Sequence, residues 1–290
     1  MCAIHVWIIL KYLAILLLKF KGCGEIMSVL LREQEVKIAL IDWLFKKGLL
    51  ENATLINEMV VADWSRRADL AVANGHLQAF EIKSDFDSLK RLDGQLETFV
   101  SRFEKVTVVC APKFTYEVTK KVASDIGVIE YSNTNNGVRF KIVQRGRTSI
   151  LRNKSIYLNF LLKKELQTFL VENGSQLPFE TSRESLENMA YQFSLSRIRS
   201  FTLNALKNRY KETSSNFLKK LVDTSFSSET DLSLLSKAKL RREQNKLNAS
   251  GSIKIEASNE FYTANIENFM RKHGEVGNTQ PIKVLKRVIK

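Results

Sequence analysis

The stretch RRADLAVANGHLQAFEIKSDFDSLKRLDGQ, residues 66–95, sets two carboxylates and a lysine (Asp69, Glu81 and Lys83) on the arms of one expected hairpin. Two carboxylates converging on one point repel each other unless a cation lies between them, and ligands of oxygen alone suit Mg²⁺ or Mn²⁺. Such an ion polarises a scissile phosphate and lowers the pKa of a bound water, and Lys83 is then available to orient that water or to stabilise developing charge. The plain alternative is a half-exposed hairpin whose polar face happens to be charged.

Glu-x-Lys occurs twice, as Glu35-Val36-Lys37 and as Glu81-Ile82-Lys83. In a helix, side chains two apart diverge by roughly 200°, whereas in a strand they share a face. Only the second pair, on an expected strand, is therefore arranged to act on one substrate. Asp69 joins it if the hairpin is centred on Gly75, which needs an odd loop with a left-handed glycine. A two-residue Asn74-Gly75 turn would instead pair Asp69 with Phe80 and send Glu81 to the other face. The apolar pattern favours the odd loop, with Leu70, Val72, Phe80 and Ile82 on one face and Asp69, Glu81 and Lys83 on the other.

The elements that must hold these residues follow from periodicity. LREQEVKIALIDWLFKKG reads as a helix near 30–48, with Val36, Leu40, Trp43 and Leu44 at helical spacing. TLINEMVV (54–61), ADLAVA and LQAFEIK read as strands, the last two around Asn74-Gly75. Leu89, Leu92, Leu96, Phe99 and Phe103 step by three or four and predict a helix over 87–103. KVTVVCA then reads as a strand, FTYEVTKKVASDI as a helix, and GVIEYS and GVRFKIVQ as strands. Beyond a boundary near 145–155 the segments 155–171, 182–192, 194–210 and 231–247 read as helices, with one weak strand near 252–257.

Composition bounds the chemistry. The 290 residues carry 45 basic against 31 acidic side chains, a net charge of +14, with a pI near 9.6. Such a field favours a polyanionic partner, nucleic acid before an acidic membrane. Cys2, Cys23 and Cys110 show no paired spacing, which argues against a disulfide framework or zinc ribbon and suits a reducing cytoplasm. Three histidines (His5, His76 and His273) leave no multi-histidine metal cluster, and no GxxxxGK[ST] stretch is present. Hydrolytic chemistry here falls to carboxylates and lysine.

Residues 1–26 are apolar around IHVWIILKYLAILLLKF, but Lys11 interrupts the run and it falls short of the roughly 20 residues of a span. GEIM would be encoded GGN-GAR-ATH-ATG, a purine-rich ribosome-binding sequence just before a start codon. Met27 is thus the expected start, with a membrane or interfacial helix as the alternative.

The element order and Asp69…Glu81-Ile82-Lys83 resemble the PD-(D/E)XK nuclease superfamily, and RADL…FEIKSDFDSLKRLDGQ resembles a family of uncharacterised bacterial and phage proteins assigned to it. The likeness spans about residues 30–145 and is specific over 66–95. It implies a restriction-endonuclease-like α/β/α core with a central mixed sheet over 27–150; the pattern of the residues themselves adds a mostly helical, basic region over 151–290. It implies that Asp69, Glu81 and the Ile82 carbonyl hold the metal, joined by Glu35 (Glu33 being the rival), while Lys83 assists the water. Gln95 matches a supporting glutamine, and Glu58 and Arg67 fit the narrower pattern, with a solvated strand edge and a surface arginine as their bland readings. The proline that names the motif is replaced by Ala68. The implied activity is Mg²⁺- or Mn²⁺-dependent hydrolysis of DNA, in phage–host conflict or DNA repair. The alternative is a non-catalytic nucleic-acid-binding protein on a nuclease-like scaffold; a homodimer is allowed by either.

Residues 182–221 read as two helices joined by a short turn, the second carrying Arg197, Arg199, Lys207 and Arg209. These residues are candidates for phosphate contacts in a helix-turn-helix-like element. The competing reading, which is favoured, is a helical bundle with a basic wet face. SKAKLRREQNK and the terminal PIKVLKRVIK share that basic character.

Overall fold

A computed structural model describes residues 30–61, 66–178, 180–223 and 229–236, and the backbone of 261–263 and 283–285. The elements run α1 (Glu33–Lys46), β1 (Thr54–Val61), β2 (Arg66–Ala73), β3 (Leu77–Lys83), α2 (Leu92–Val100), β4 (Lys105–Cys110), α3 (Pro112–Lys121), β5 (Gly127–Thr134) and β6 (Gly137–Gln144). Helices α4 (Lys154–Asn159), α5 (Lys163–Glu172), α6 (Arg183–Tyr191) and α7 (Leu195–Asp223) follow, then a 3₁₀ turn, Glu229–Leu235. Phe261–Thr263 and Lys283–Leu285 pair as a separate antiparallel ribbon, β7 and β8. Expectations for residues 1–26, for a helix beyond 236 and for a strand near 252–257 fall outside the described residues, apart from the 3₁₀ turn. Among the described residues no helix is long and apolar enough to cross a membrane.

The first six strands form one mixed sheet in the order β1-β2-β3-β4-β5-β6. The β1/β2, β2/β3 and β5/β6 pairs are antiparallel, and β3/β4 and β4/β5 are parallel. Both faces are covered. Val36, Leu40, Ile41 and Leu44 of α1 pack on Leu55, Leu70, Val72, Phe80 and Ile82. On the other face Leu92, Leu96 and Phe99 of α2 pack with Ala71, Ala79, Val106 and Val108. The strand alternation that hides alanines under α2 also leaves room there for polar side chains.

Helix α7, 29 residues and so about 44 Å long, reaches both layers. Its Leu203 and Leu206 join the α2 face, and its Phe217 and Leu221 join the α1 face. On the way Ser214 Oγ accepts a hydrogen bond from the Leu55 N–H at 2.9 Å, covering the edge strand β1. The chain's contacts accordingly divide at Leu240 rather than at the change of composition near 145–155.

Two expected helices are differently bounded. The segment 87–103 forms a helix only over Leu92–Val100, because Asp87 Oδ2 binds the Ser84 N–H (2.8 Å) and Oγ (2.5 Å) and holds a turn ahead of it. Leu89 and Phe103 are nevertheless buried, so the apolar spacing reported the packed face rather than the helix length. The segment 155–171 breaks into α4 and α5 with no proline or glycine at the joint. Arginines from later in the chain satisfy the freed carbonyls there: Arg183 donates to Leu161 (2.9 Å) and Leu158 (3.3 Å), and Arg209 to Phe160 (2.8 Å).

Candidate active site

The hairpin has the odd loop. Leu70 pairs with Phe80, Ala71 with Ala79 and Ala73 with Leu77, so the hairpin is centred on Gly75, whose φ is +94°. By the same register Asp69 stands opposite Glu81, and Glu81 and Lys83 share its face. That face is no solvated edge: Glu81 is 1% and Lys83 4% exposed. Lys83 Nζ donates to Glu81 Oε1 at 2.7 Å and to Gln95 Oε1 on α2 at 2.9 Å, so the expected supporting glutamine is in contact with the lysine.

Asp69 Oδ2 accepts the Ile82 N–H at 2.7 Å. In a strand the N–H and C=O of one residue point to the same side, and the Lys83 carbonyl is already bonded to Ala111 N–H on the β4 side. The Ile82 carbonyl therefore opens on the β2 side, towards Asp69. Burial, then the charges of Glu81 and Glu33, hold the Asp69 carboxyl well above its usual value against the Ile82 hydrogen bond and Lys37. Burial also raises Glu81, more than Lys83 lowers it, with Glu33 adding repulsion. One Glu81 oxygen, Oε2, is buried with no hydrogen-bond partner. An orphaned carboxylate oxygen beside a second, mutually repelling carboxylate is a donor set that fits a hard divalent cation.

Helix α1 supplies Glu33, not Glu35. The Glu35 carboxylate turns back to accept the Arg32 N–H at 2.6 Å, a capping interaction at the helix start. Glu33 instead shares with Asp69, Glu81, Lys83 and Gln95 a cleft of about 200 Å³. Carboxylate oxygens of Glu33, Glu58 and Asp69 lie within 4.8 Å of one another. Glu35 and Lys37 do diverge as helical geometry requires, yet Lys37 still reaches the site, because it lies one turn from Glu33. Its Nζ meets Glu33 (3.1 Å), Glu58 (2.8 Å) and Asn57 (3.2 Å), and the side chain is buried. Burial lowers the Lys37 pKa, but the Glu58 hydrogen bond and the Glu33 charge outweigh it and leave it raised.

Glu58 is set at this cluster by its backbone. Its φ is +56°, and it and Asp69, which it would face, are the pair skipped in the β1/β2 ladder. A left-handed glutamate inside a strand costs on the order of 1 kcal/mol or more. Its carboxylate also holds Arg67 Nε at 2.5 Å. Arg66, Arg67 and Arg91 are exposed and line the cleft.

The basic residues of α7 are divided. Arg199 pairs with buried Glu104 (2.5 and 3.0 Å) and donates to the Gly75 carbonyl (2.7 Å), and Arg209 pairs with Glu165. Both are internal clamps rather than free phosphate contacts. Arg197 is exposed and bonds Asn173 Oδ1 at 3.0 Å, and Lys207 is half-buried. Lys37, Arg66 and Arg91 were missed by the sequence reading. The i, i+4 spacing of Glu33 and Lys37 was the available signal for the first; the arginines had none.

A family profile described as Bacteriophage P4 protein cII matches residues 27–236. The chain is 55% identical over 263 residues to "Protein cII" of Enterobacteria phage P4, covering 91% of this chain and all of that protein. A solved structure of a protein of unknown function from Silicibacter pomeroyi matches 51% of this chain and 99% of its own at 16% identity, with a TM-score of 0.32, too low to bear on the fold.

Proposed function

The chain belongs to the family of the bacteriophage P4 protein cII, and we propose that it is a Mg²⁺- or Mn²⁺-dependent nuclease that hydrolyses phosphodiester bonds of DNA on a restriction-endonuclease-like core. The observation that carries this reading is the buried Lys83–Glu81 pair, held by half-buried Gln95 and facing Asp69, with Glu81 Oε2 left unpartnered among the described residues. Burying such a group without use costs about 1–3 kcal/mol or more, so its presence calls for a ligand.

Asp69, Glu81 and the Ile82 carbonyl would hold the ion, with Glu33 at its border. The ion supplies Lewis-acid polarisation of the phosphate and a bound water of lowered pKa. Lys83, fixed between Glu81 and Gln95, donates a hydrogen bond to the attacking water or to charge developing on the phosphoryl oxygens. The Ile82 N–H holds Asp69 in one orientation. Lys37 and Arg67 together offset the charges of Glu33 and Glu58. Arg66, Arg67 and Arg91 border the cleft where phosphates would approach, adding affinity that does not depend on sequence. The net charge of +14 supports the polyanionic partner, and kinship with a phage protein supports a role in phage–host conflict or DNA repair, in the cytoplasm.

The test compares wild type and Lys83→Ala in Mg²⁺ and Mn²⁺ on linear, circular and single-stranded DNA and on RNA. Cleavage by wild type that falls on the order of 10²-fold or more in Lys83→Ala, with DNA affinity retained, is the expected result. Equal binding by both with no cleavage of any substrate would establish the non-catalytic binding protein instead.

A further inference from the structure

A second cavity, of about 240 Å³, lies at the hairpin end of the sheet on the α1 face, away from the carboxylates. It shares no lining residue with the cleft around Asp69 and Glu81. Half-buried Trp43 lines it above buried Phe80, and Lys105 and Arg145 contribute cations. No aspartate or glutamate is among the described residues that line it. The three-residue hairpin loop adds Asn74 and His76, and each leaves a buried polar atom unpartnered, Asn74 Oδ1 and His76 Nε2. The Asn74 amide is oriented by its other end, since Nδ2 donates to the Leu49 carbonyl at 3.1 Å. Its oxygen is therefore an acceptor in need of a donor.

We propose that this cavity binds a small aromatic anion, whose ring N–H or O–H meets Asn74 Oδ1 and His76 Nε2 and whose phosphate or carboxylate meets Lys105 and Arg145. The chemistry follows from the lining: ring surface for a flat apolar body, unmet hydrogen-bonding atoms, and positive charge with no acidic side chain among the described residues that line it. The volume, equal to about eight waters' share of liquid, suits a single ring system with its substituent. Burial, then the nearby charge of Lys105, holds the His76 pKa below its usual value against Glu104 and Gln78, so the ring is neutral and its nitrogen is free to bond. This inference is independent of the nuclease reading.

The experiment titrates the full-length protein with two sets of probes, followed by calorimetry and ligand-observed NMR. One set is the four nucleoside 5′-monophosphates, the other indole-3-carboxylate and benzoate; the corresponding nucleosides and benzamide test the need for the anion. Saturable binding of one set at or below about 1 mM supports the site and says whether its ligand is a mononucleotide or an aromatic acid. Asn74→Ala and Arg145→Glu should each weaken that binding about tenfold, and the neutral analogue should bind comparably weakly. Arg145 is exposed, so Arg145→Glu keeps the test valid if Asn74→Ala fails to fold. Failure of every probe to saturate wild type, or equal affinity in Arg145→Glu and wild type, would overturn the proposal. Cleavage assays on the same variants separate the two readings, because neither residue lies at the carboxylate site.

Discussion

Glu81 and Glu104 are buried carboxylates near opposite ends of the adjacent strands β3 and β4, and their surroundings differ in one respect. Glu104 is fully met: the Leu77 N–H (2.9 Å), Tyr157 hydroxyl (2.5 Å) and Arg199 guanidinium (2.5 and 3.0 Å) all donate to it. Burial pushes its pKa up, and those donors more than reverse the push, so the carboxyl sits below its usual value. Glu81 takes Lys83 on one oxygen, its second oxygen has no hydrogen-bond partner among the described residues, and burial beside Asp69 raises its pKa against Lys83 and Gln95. A carboxylate surrounded by donors holds the fold together, here joining the hairpin loop, α4 and α7. A buried pair left short of donors is instead poised for something brought from solution.

The largest effect that would break this contrast is on the Glu104 side. Arg199→Ala should destabilise the protein by about 3–5 kcal/mol, because it strands a buried carboxylate, as read by urea denaturation at neutral pH. A loss under about 1 kcal/mol would place Arg199 among exposed pairs and return it to the phosphate contacts.

The next effect sharpens the other side. With metal chelated, the raised Asp69 carboxyl opposes folding at neutral pH, since a group that binds its proton more tightly when folded favours the fold at low pH. Wild type should therefore gain from this group as pH falls from neutral through the raised value toward 3.8, the ordinary value for aspartate. Glu104 acts oppositely, losing its contribution as pH falls below about 4.5, the unshifted value. Asp69→Asn should raise the melting temperature in chelator at pH 7 and abolish stabilisation by Mg²⁺, which in wild type at a hundredfold excess over Kd is about 2.7 kcal/mol. A variant no more stable than wild type in chelator, and still stabilised by Mg²⁺, would show that Asp69 is not part of a strained pair.

The smallest effect separates the neighbouring glutamates of α1. Glu35→Ala should cost about 1 kcal/mol as a lost helix cap and leave Mg²⁺ stabilisation unchanged, whereas Glu33→Gln should weaken it. The reverse pattern, measured by thermal melts with and without Mg²⁺, would restore Glu35 to the metal.

Much of this was legible from local pattern. The element order over 33–144, the limits of β1, β3 and β6, and the hairpin register all follow from alternating apolar residues and one glycine in the left-handed region. A period of two assigns each side chain a face, and one face buries leucines and valines while the other carries Asp69, Glu81 and Lys83. Gln95 was legible for a related reason, resting on a helix that immediately follows the lysine strand.

What the pattern could not settle was anything decided by distant partners. Periodicity says which face a side chain takes, not what waits there. Glu33 and Glu35 differ only in rotation about α1, and the choice between them was made by a cap at Arg32 and by Lys37 reaching Glu58 across 21 residues. Arg199 looked like a free cation until Glu104, 95 residues away, neutralised it, and Arg209 likewise met Glu165 across 44 residues. The break between α4 and α5 was set by Arg183 and Arg209 bonding carbonyls from outside the segment. Backbone propensity and side-chain alternation act within a few residues, so the sequence alone determined the sheet, its register and the acid–acid–lysine face. Charge pairing and burial act through space, so only the tertiary structure decided which charges remained unmet.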